Sequence, residues 1–377
     1  MMTTTSRLRP FTACTAAAAI LVVSVATPRL MGALRRPAAA ESMASAAIDW
    51  LSTLDAEQKA RAMQPFASPA RTDWHFVPKN DRKGLQLRDM NDRQEAAALA
   101  LVRSALSQAG YDKSVMIMKL DEILRRIEGA KAKNIRDPKR YFLTIFGTPA
   151  ATGSWGLSIE GHHLSFNFTV RDGVLVDSTP QFLGANPAVV KTSFDGLPAS
   201  GDRVLRDEET LAFELLAALD EPQRAKAVIA KEPPKEIRAA GAPQPPAGPA
   251  AGIPFKELTA PQQSILRRLV ETYCAVMPDE VAAERLRLIE GSVVADGKTA
   301  QESVHHGWND VHFAWSGSLV PGVGHGYRVE GPTFSIEFVN VQPDAEGNPA
   351  NHIHCVWRDR TGDFDLPAAS AAKAQAP

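Results

Sequence analysis

The chain has 377 residues, with 42 Lys+Arg against 43 Asp+Glu and a formal charge of −1. That balance argues against nucleic acid or an anionic membrane surface as a partner, since both are held largely by net positive charge. At 44% hydrophobic residues, the chain can build one large core or two ordinary ones.

The N-terminal segment, residues 1–40, reads as an export signal. Arg7 and Arg9 precede an apolar run from Ala16 to Val25, and the small-residue stretch "RRPAAAES" follows. The run is too short to span a bilayer comfortably, although a retained anchor is the alternative. Arg35 and Arg36 come after the run, so they do not form a twin-arginine signal. The expected location is periplasmic or secreted, with no membrane attachment once the signal is cleaved. Cys14 lies before the apolar core, which leaves Cys274 and Cys355 in the mature chain. Two cysteines make no disulfide framework, so both are expected as separate buried thiols.

Next come helices and strands. "LDAEQKARA" (54–62), "LDEPQRAKA" (219–227) and "LTAPQQSIL" (258–266) each place Gln three positions after a capping Asp or Thr. Each is a capping box with an apolar residue before it, and each marks a helix start. The phrase is too short to prove a repeated domain. Leu99, Val102 and Leu106 share a helix face that Gly110 is placed to end, and Met116, Leu120, Ile123, Leu124 and Ile127 form the next stripe. A further stripe at Leu211, Leu215, Leu216 and Leu219 follows the acidic start "RDEET". "RYFLTIFG", "GSWGLSIEG" and "HHLSFNFTVRDGVLVD" read as strands, the last containing the hairpin turn Asp172-Gly173. Near the C-terminus, "NDVHFAWSG", "GYRVEGPTFSIEFVNVQ" and "NHIHCVWRD" are three more. The Pro/Ala/Gly-rich stretch 231–252 reads as a long surface loop that buries little. Strands on both sides of it favour a single large α+β domain over 41–366, with helices flanking a largely antiparallel sheet. The tail, 367–377, is expected to be disordered.

The chemistry concentrates in the histidines. In a strand, residues two apart share a face, so His352 and His354 project together with Val356 and Arg358, away from Ile353, Cys355 and Trp357. Two imidazoles at that spacing bind one metal ion if a third ligand arrives from elsewhere. The best supplier is "EGHHLSFNF". Read as one strand, it puts His163 on a polar face with Ser165 and Asn167, and His162 on an apolar face with Leu164 and Phe166. His163 is then the expected ligand and His162 a core residue or a support for a ligand. Glu160 and Glu337 are candidate proton acceptors, and Arg358 is a candidate for binding substrate charge or orienting Glu337. The bland alternative for each is a solvated strand residue. His305, His306 and His312 lie near three aromatics in "VHHGWNDVHFAWSG", which suits either a pocket for a carbohydrate or other small molecule, or a plain aromatic core. No serine-hydrolase elbow, phosphate-binding glycine loop or dinucleotide fingerprint is present.

These stretches together resemble the exported bacterial family catalogued as domain of unknown function 3500, from about Trp50 to Asp365. The likeness rests on "FGTPAATGSWGLSIEGHHLSFNFTV" (146–170), the Gly-Pro-Thr-Phe turn at Gly331 to Phe334, and Asn351 to Asp359. It implies a secreted or periplasmic protein and no particular activity. Val339 departs from it, standing where an acidic residue is common. The expectation is therefore a divalent transition metal, zinc by default with copper or iron as alternatives, held by His163, His352 and His354. An open coordination position would make hydrolysis the natural reaction. The rival is a non-catalytic extracytoplasmic ligand-binding protein, and a third reading gives the histidines a purely structural role.

Overall fold

A computed structural model describes residues 37–79, 81–291, 294–295, 302–303 and 307–368. Residues 1–36, read from the sequence as an export signal, His305, His306 and the tail from 369 lie outside the described residues. Residues 37–40, which the sequence reading gave to the signal, form the start of the first helix, where Ala39 and Ala40 are buried.

Eight α-helices occur among the described residues: α1 Pro37–Thr53, α2 Ala56–Ala62, α3 Asp92–Ala105, α4 Gln108–Glu128, α5 Arg206–Ala218, α6 Glu221–Ala227, α7 Ala260–Cys274 and α8 Asp279–Glu290. The three expected capping boxes are present at Asp55/Gln58, Asp220/Gln223 and Thr259/Gln262, and a fourth stands at Asn91/Gln94. Gly110 does not end a helix. It sits in the first turn of α4, whose N-cap Ser107 accepts from its N–H, and a Cβ there would lie 2.1 Å from the Val276 carbonyl oxygen. Glycine at 110 thus serves a close approach, while the break falls at Leu106.

Thirteen strands form one mostly antiparallel sheet. They are β1 Met63–Gln64, β2 Leu85–Gln86, β3 Phe142–Gly147, β4 Ser154–Gly161, β5 Leu164–Arg171, β6 Val174–Asp177, β7 Gln181–Ala185, β8 Val228–Ala230, β9 Ile253–Pro254, β10 His312–Gly317, β11 His325–Glu330, β12 Phe334–Asn340 and β13 Ile353–Asp359. The order is β1-β3-β4-β5-β7-β13-β12-β11-β10-β8, with β2 on β3, β6 on β5 and β9 on β10. The expected Asp172-Gly173 turn joins β5 to β6, both residues at positive φ. The stretch read as one strand from Gly326 to Gln342 is two, β11 and β12, folded back at the Gly-Pro-Thr turn.

This order is the same plan used twice. Each half runs helix, capped short helix, edge strand, long segment, short strand, capped helix, helix, then the sheet strands. β1 pairs parallel with β3 as β8 does with β10, and β2 pairs antiparallel with β3 as β9 does with β10. Even the caps agree. Gln58 and Gln94 exchange amide hydrogen bonds and donate to the carbonyls of Asp89 and Thr53. Gln223 and Gln262 do the same, donating to the carbonyls of Glu257 and Ala218. The halves join where the central strands β7 and β13 pair antiparallel.

The main core lies on one sheet face, where Leu143, Trp155, Ile159, Phe166, Ile336, Cys355 and Trp357 pack on the helices. The other face carries Glu160, Asn167, Glu337, His354 and Arg358 among smaller apolar patches. Two straps cross it, residues 65–84 and 231–252. Trp74 and Phe76 of the first and Ile237 of the second pack with Phe182, Val339 and Val356 into a separate small core. The Pro/Ala/Gly-rich segment is therefore an integral cover: its Ala242 carbonyl accepts from Trp74 Nε1 at 2.7 Å and from Arg358 at 2.9 Å.

Candidate metal centre

The β13 alternation behaves as the sequence suggests: Ile353, Cys355 and Trp357 enter the main core, while His354, Val356 and Arg358 take the strapped face. His352 lies one residue before β13, where its N–H donates to Asn340 Oδ1 at 3.0 Å. His163 arrives by a different route from the expected one. Gly161 pairs with Leu164, so His162 and His163 are the two-residue turn between β4 and β5 rather than strand positions. His163 has φ 64°, and that left-handed backbone sets its direction. Its N–H donates to the Phe76 carbonyl at 2.9 Å, and its own carbonyl accepts from Gly184 N–H at 2.8 Å. Gly184 leaves the space for the ring: a Cβ there would lie 2.9 Å from His163 Cδ2.

The three Nε2 atoms converge. His352 to His163 is 2.8 Å, His354 to His352 3.1 Å and His354 to His163 3.2 Å. Bonds of ~2.0–2.1 Å to one tetrahedral ion would set such nitrogens ~3.3 Å apart, so the spacing fits a shared cation. Three imidazole nitrogens this close cannot all be satisfied by one another. Lone pairs aimed at one point repel, and a proton on one ring serves only one neighbour.

The outer ring nitrogens are held in ways that suit metal ligation. His354 Nδ1 lies 2.9 and 2.8 Å from the two Glu236 carboxylate oxygens, which makes Nδ1 the protonated nitrogen and leaves Nε2 its lone pair. His352 Nδ1 lies 3.3 Å from the Asn186 amide, whose Oδ1 is buried and otherwise without a partner. A half-turn of that amide brings Oδ1 to the imidazole N–H and gives His352 the same tautomer. Protonation of His163 and of His352 is disfavoured. Burial first, and then the charges of the neighbouring rings and Arg136, hold His163 well below 6.5 and His352 down to about 2.

Around the triad, Phe76 and Phe182 wall the His354 side, at ring separations of 5.1 and 5.6 Å. On the other side His162 stacks on His163 at 3.8 Å, with its Nδ1 2.7 Å from Asp121. Beyond it stands Arg136, gripped by Glu128 at 2.8 and 3.0 Å.

The remaining expected site residues are buried on the same sheet face but bond elsewhere. Glu160 accepts from Lys83 Nζ at 2.7 Å and from the His75 N–H at 3.2 Å. Glu337 accepts from the Arg238 N–H and Nε at 2.9 and 2.8 Å, rather than being oriented by Arg358. Arg358 is bound by Asp363 at 2.5 Å and by the Ala239 and Ala242 carbonyls. No hydrogen bond links any of these three to a triad nitrogen among the described residues. Each fastens a strap or the C-terminal turn, and Glu330, which occupies in the second half the place of Glu160 in the first, likewise binds Arg238 and the Ala251 N–H. Of the aromatics expected to line a pocket, Trp308, Phe313 and Trp315 are core residues, and His312 points its Nδ1 at the Asp310 carbonyl.

Sequence reasoning missed Glu236, Asn186, Gly184, Asp121 and Arg136. Of these only Gly184 carried a local signal, a glycine inside a strand pattern, which marks a close approach.

Fold and site together define an α+β protein of two like halves with a three-histidine centre that can hold a metal ion. The chain belongs to the family described as "Protein of unknown function (DUF3500)", whose model matches residues 36–366. No curated protein and no solved structure matches it.

Proposed function

We propose that this is an exported metalloprotein whose His163, His352 and His354 hold one divalent transition metal, zinc by default, and that its chemistry is hydrolytic. The observation that carries the reading is the convergence of three Nε2 atoms within 3.2 Å of one another. Three neutral nitrogen donors would hold such an ion with room for one more ligand, and when bound it would supply Lewis-acid activation of a water. The chain's own residues set the rest. Glu236 and Asn186 fix two ligand tautomers, Gly184 gives His163 its place, and Phe76 and Phe182 exclude water behind His354. Export is supported by the charged, apolar and small-residue pattern of the N-terminus.

One observation favours the rival reading, a metal-dependent ligand-binding protein without turnover: Glu160, Glu337 and Arg358 are all engaged by other partners. The two separate in one assay. Zinc-loaded protein should hydrolyse an activated ester such as p-nitrophenyl acetate, and both chelation and His163→Ala should abolish the turnover. A fully loaded protein that shows no turnover with activated esters or phosphoesters would contradict the hydrolytic reading and leave the binding one.

A further inference from the structure

A cleft in the first half plays no part in the chemistry proposed for the histidines. It is lined from α2, the end of the first strap, β2 and the segment leading into β3, and its volume of about 830 Å³ is enough for a small molecule. Four arginines, Arg61, Arg82, Arg88 and Arg140, line it against two carboxylates, Asp81 and Asp137. In a chain of formal charge −1 that is a local surplus of two positive charges, or of one when Arg61's partner Asp89 is counted. Ile135, 62% exposed, and Phe142 add apolar surface. None of the lining residues is a triad histidine or one of the groups described around the triad.

The arginines are set in two ways. Arg82 donates from Nη1 to the His75 carbonyl at 2.9 Å and from Nη2 to that of Val77, and Arg140 Nη2 donates to the Lys79 carbonyl at 3.2 Å. These bonds fix the guanidinium planes, and a carbonyl acceptor does not cancel their charge. Arg88 meets Asp137 through Nε, and Arg61 meets Asp89 through Nη2. Their side chains are 55% and 42% exposed, so both keep donors for a molecule in the cleft.

The duplication shows which of these positions the fold requires. Gly84 and Gly252 correspond, at φ 94° and 93°, each set against a carbonyl of the neighbouring strand, that of Leu143 or of Phe313. Leu87 N–H donates to the Tyr141 carbonyl as Phe255 N–H does to that of Val311. By that register the pair Arg61–Asp89 recurs as Lys226–Glu257, and Arg88 recurs as Lys256. Arg82 and Arg140, in contrast, face Ala250 and Asp310 in the second half. The same plan folds without that arginine pair, which is therefore particular to the first half.

We propose that this cleft binds a small organic acid, its carboxylates on the arginines and its apolar body against Ile135. The site stands apart from the histidine centre and does not rest on the metal reading. The blander role is structural: Arg82 and Arg140 fasten the first strap and meet no ligand.

Isophthalate, which sets two carboxylates on one apolar ring, is the probe, titrated by calorimetry at low salt. Wild type should give a saturable heat. Arg88→Gln, which leaves the strap bonds in place, should weaken binding by at least about tenfold, the loss expected for one charge-assisted hydrogen bond. Arg61→Gln takes its place if that variant fails to fold. The matching change in the second half, Lys226→Gln/Lys256→Gln, should leave the affinity as it was, and so should His352→Ala/His354→Ala. The proposal is overturned by a wild type without saturable heat, or by unchanged affinity in the folded arginine variant. Equal weakening by the lysine pair would also overturn it, as diffuse attraction, and loss of binding in the histidine variant would do so by placing the probe at the triad.

Discussion

His163, His352 and His354 are expensive to bury in the metal-free state, because three nitrogens compete for too few protons. Burial favours the neutral forms of His163 and His352, and this has a pH consequence. In the unfolded chain the rings titrate near 6.5, whereas in the fold His163 and His352 are held below that value. A depressed folded value means stability that is complete above pH 6.5 and is lost as pH falls below it, because the unfolded chain takes up protons first. The metal-free protein should therefore lose melting temperature progressively below pH 6.5. His352→Asn should flatten the part of that slope just below 6.5, and an unchanged slope there would contradict the assignment. Gly184→Ala probes the site's geometry. Its methyl would meet the His163 ring at 2.9 Å, so metal affinity should drop by about tenfold or more while the circular dichroism of the fold persists. The legibility of single residues follows their spacing. His352 and His354 were readable because alternation is a local rule. His163 was selected for the wrong reason, since a left-handed turn, not a strand, directs it. Glu236 was unreadable, because its partner His354 is 118 residues away and nothing in a Pro-rich stretch advertises it.

Among the elements, the caps were the most legible part of the fold, since an Asp-x-x-Gln or Thr-x-x-Gln signature needs only four consecutive residues. Their tertiary role was not legible. Gln94 and Gln262 each bridge to another cap and to a helix-end carbonyl, so Gln94→Ala and Gln262→Ala should destabilise by similar amounts, about 1–3 kcal/mol each in chemical denaturation. A large effect at one site and none at the other would contradict the equivalence of the halves. Of the two straps, 231–252 was legible as a long surface loop that buries little, Ile237 being its one buried residue; its fastening was not, for Arg238 joins two buried carboxylates, Glu330 and Glu337. Arg238→Ala leaves both without this partner and should cost about 2–3 kcal/mol, toward the low end for a buried pair because Arg238 is itself partly exposed. Limited proteolysis should then cut the 231–252 segment, which wild type protects.

At the scale of the whole molecule, the duplication makes the centre a joint. His163 comes from a turn of the first half, His354 from the last strand of the second, and His352 from the residue just before that strand. They meet beside the β7–β13 seam, where His354 pairs with Gly184. The second half has Thr333 where the first has His163, so the plan is repeated but the histidine is not. A bound ion would clamp the halves together, and its removal by a chelator should lower the melting temperature of the entire transition rather than release one segment. Fold class and sheet character were legible because periodicity and turn residues act locally. The duplication was not, because the halves agree in pairing and capping far more than in residues. Most direct is the metal content of the chain from Pro37 onward, purified without a histidine tag and measured by mass spectrometry beside a folded His352→Ala/His354→Ala variant. The account predicts near one equivalent of zinc, copper or iron in the wild-type protein and almost none in the variant. A wild-type protein that takes up none of these ions, even after reconstitution, would contradict it.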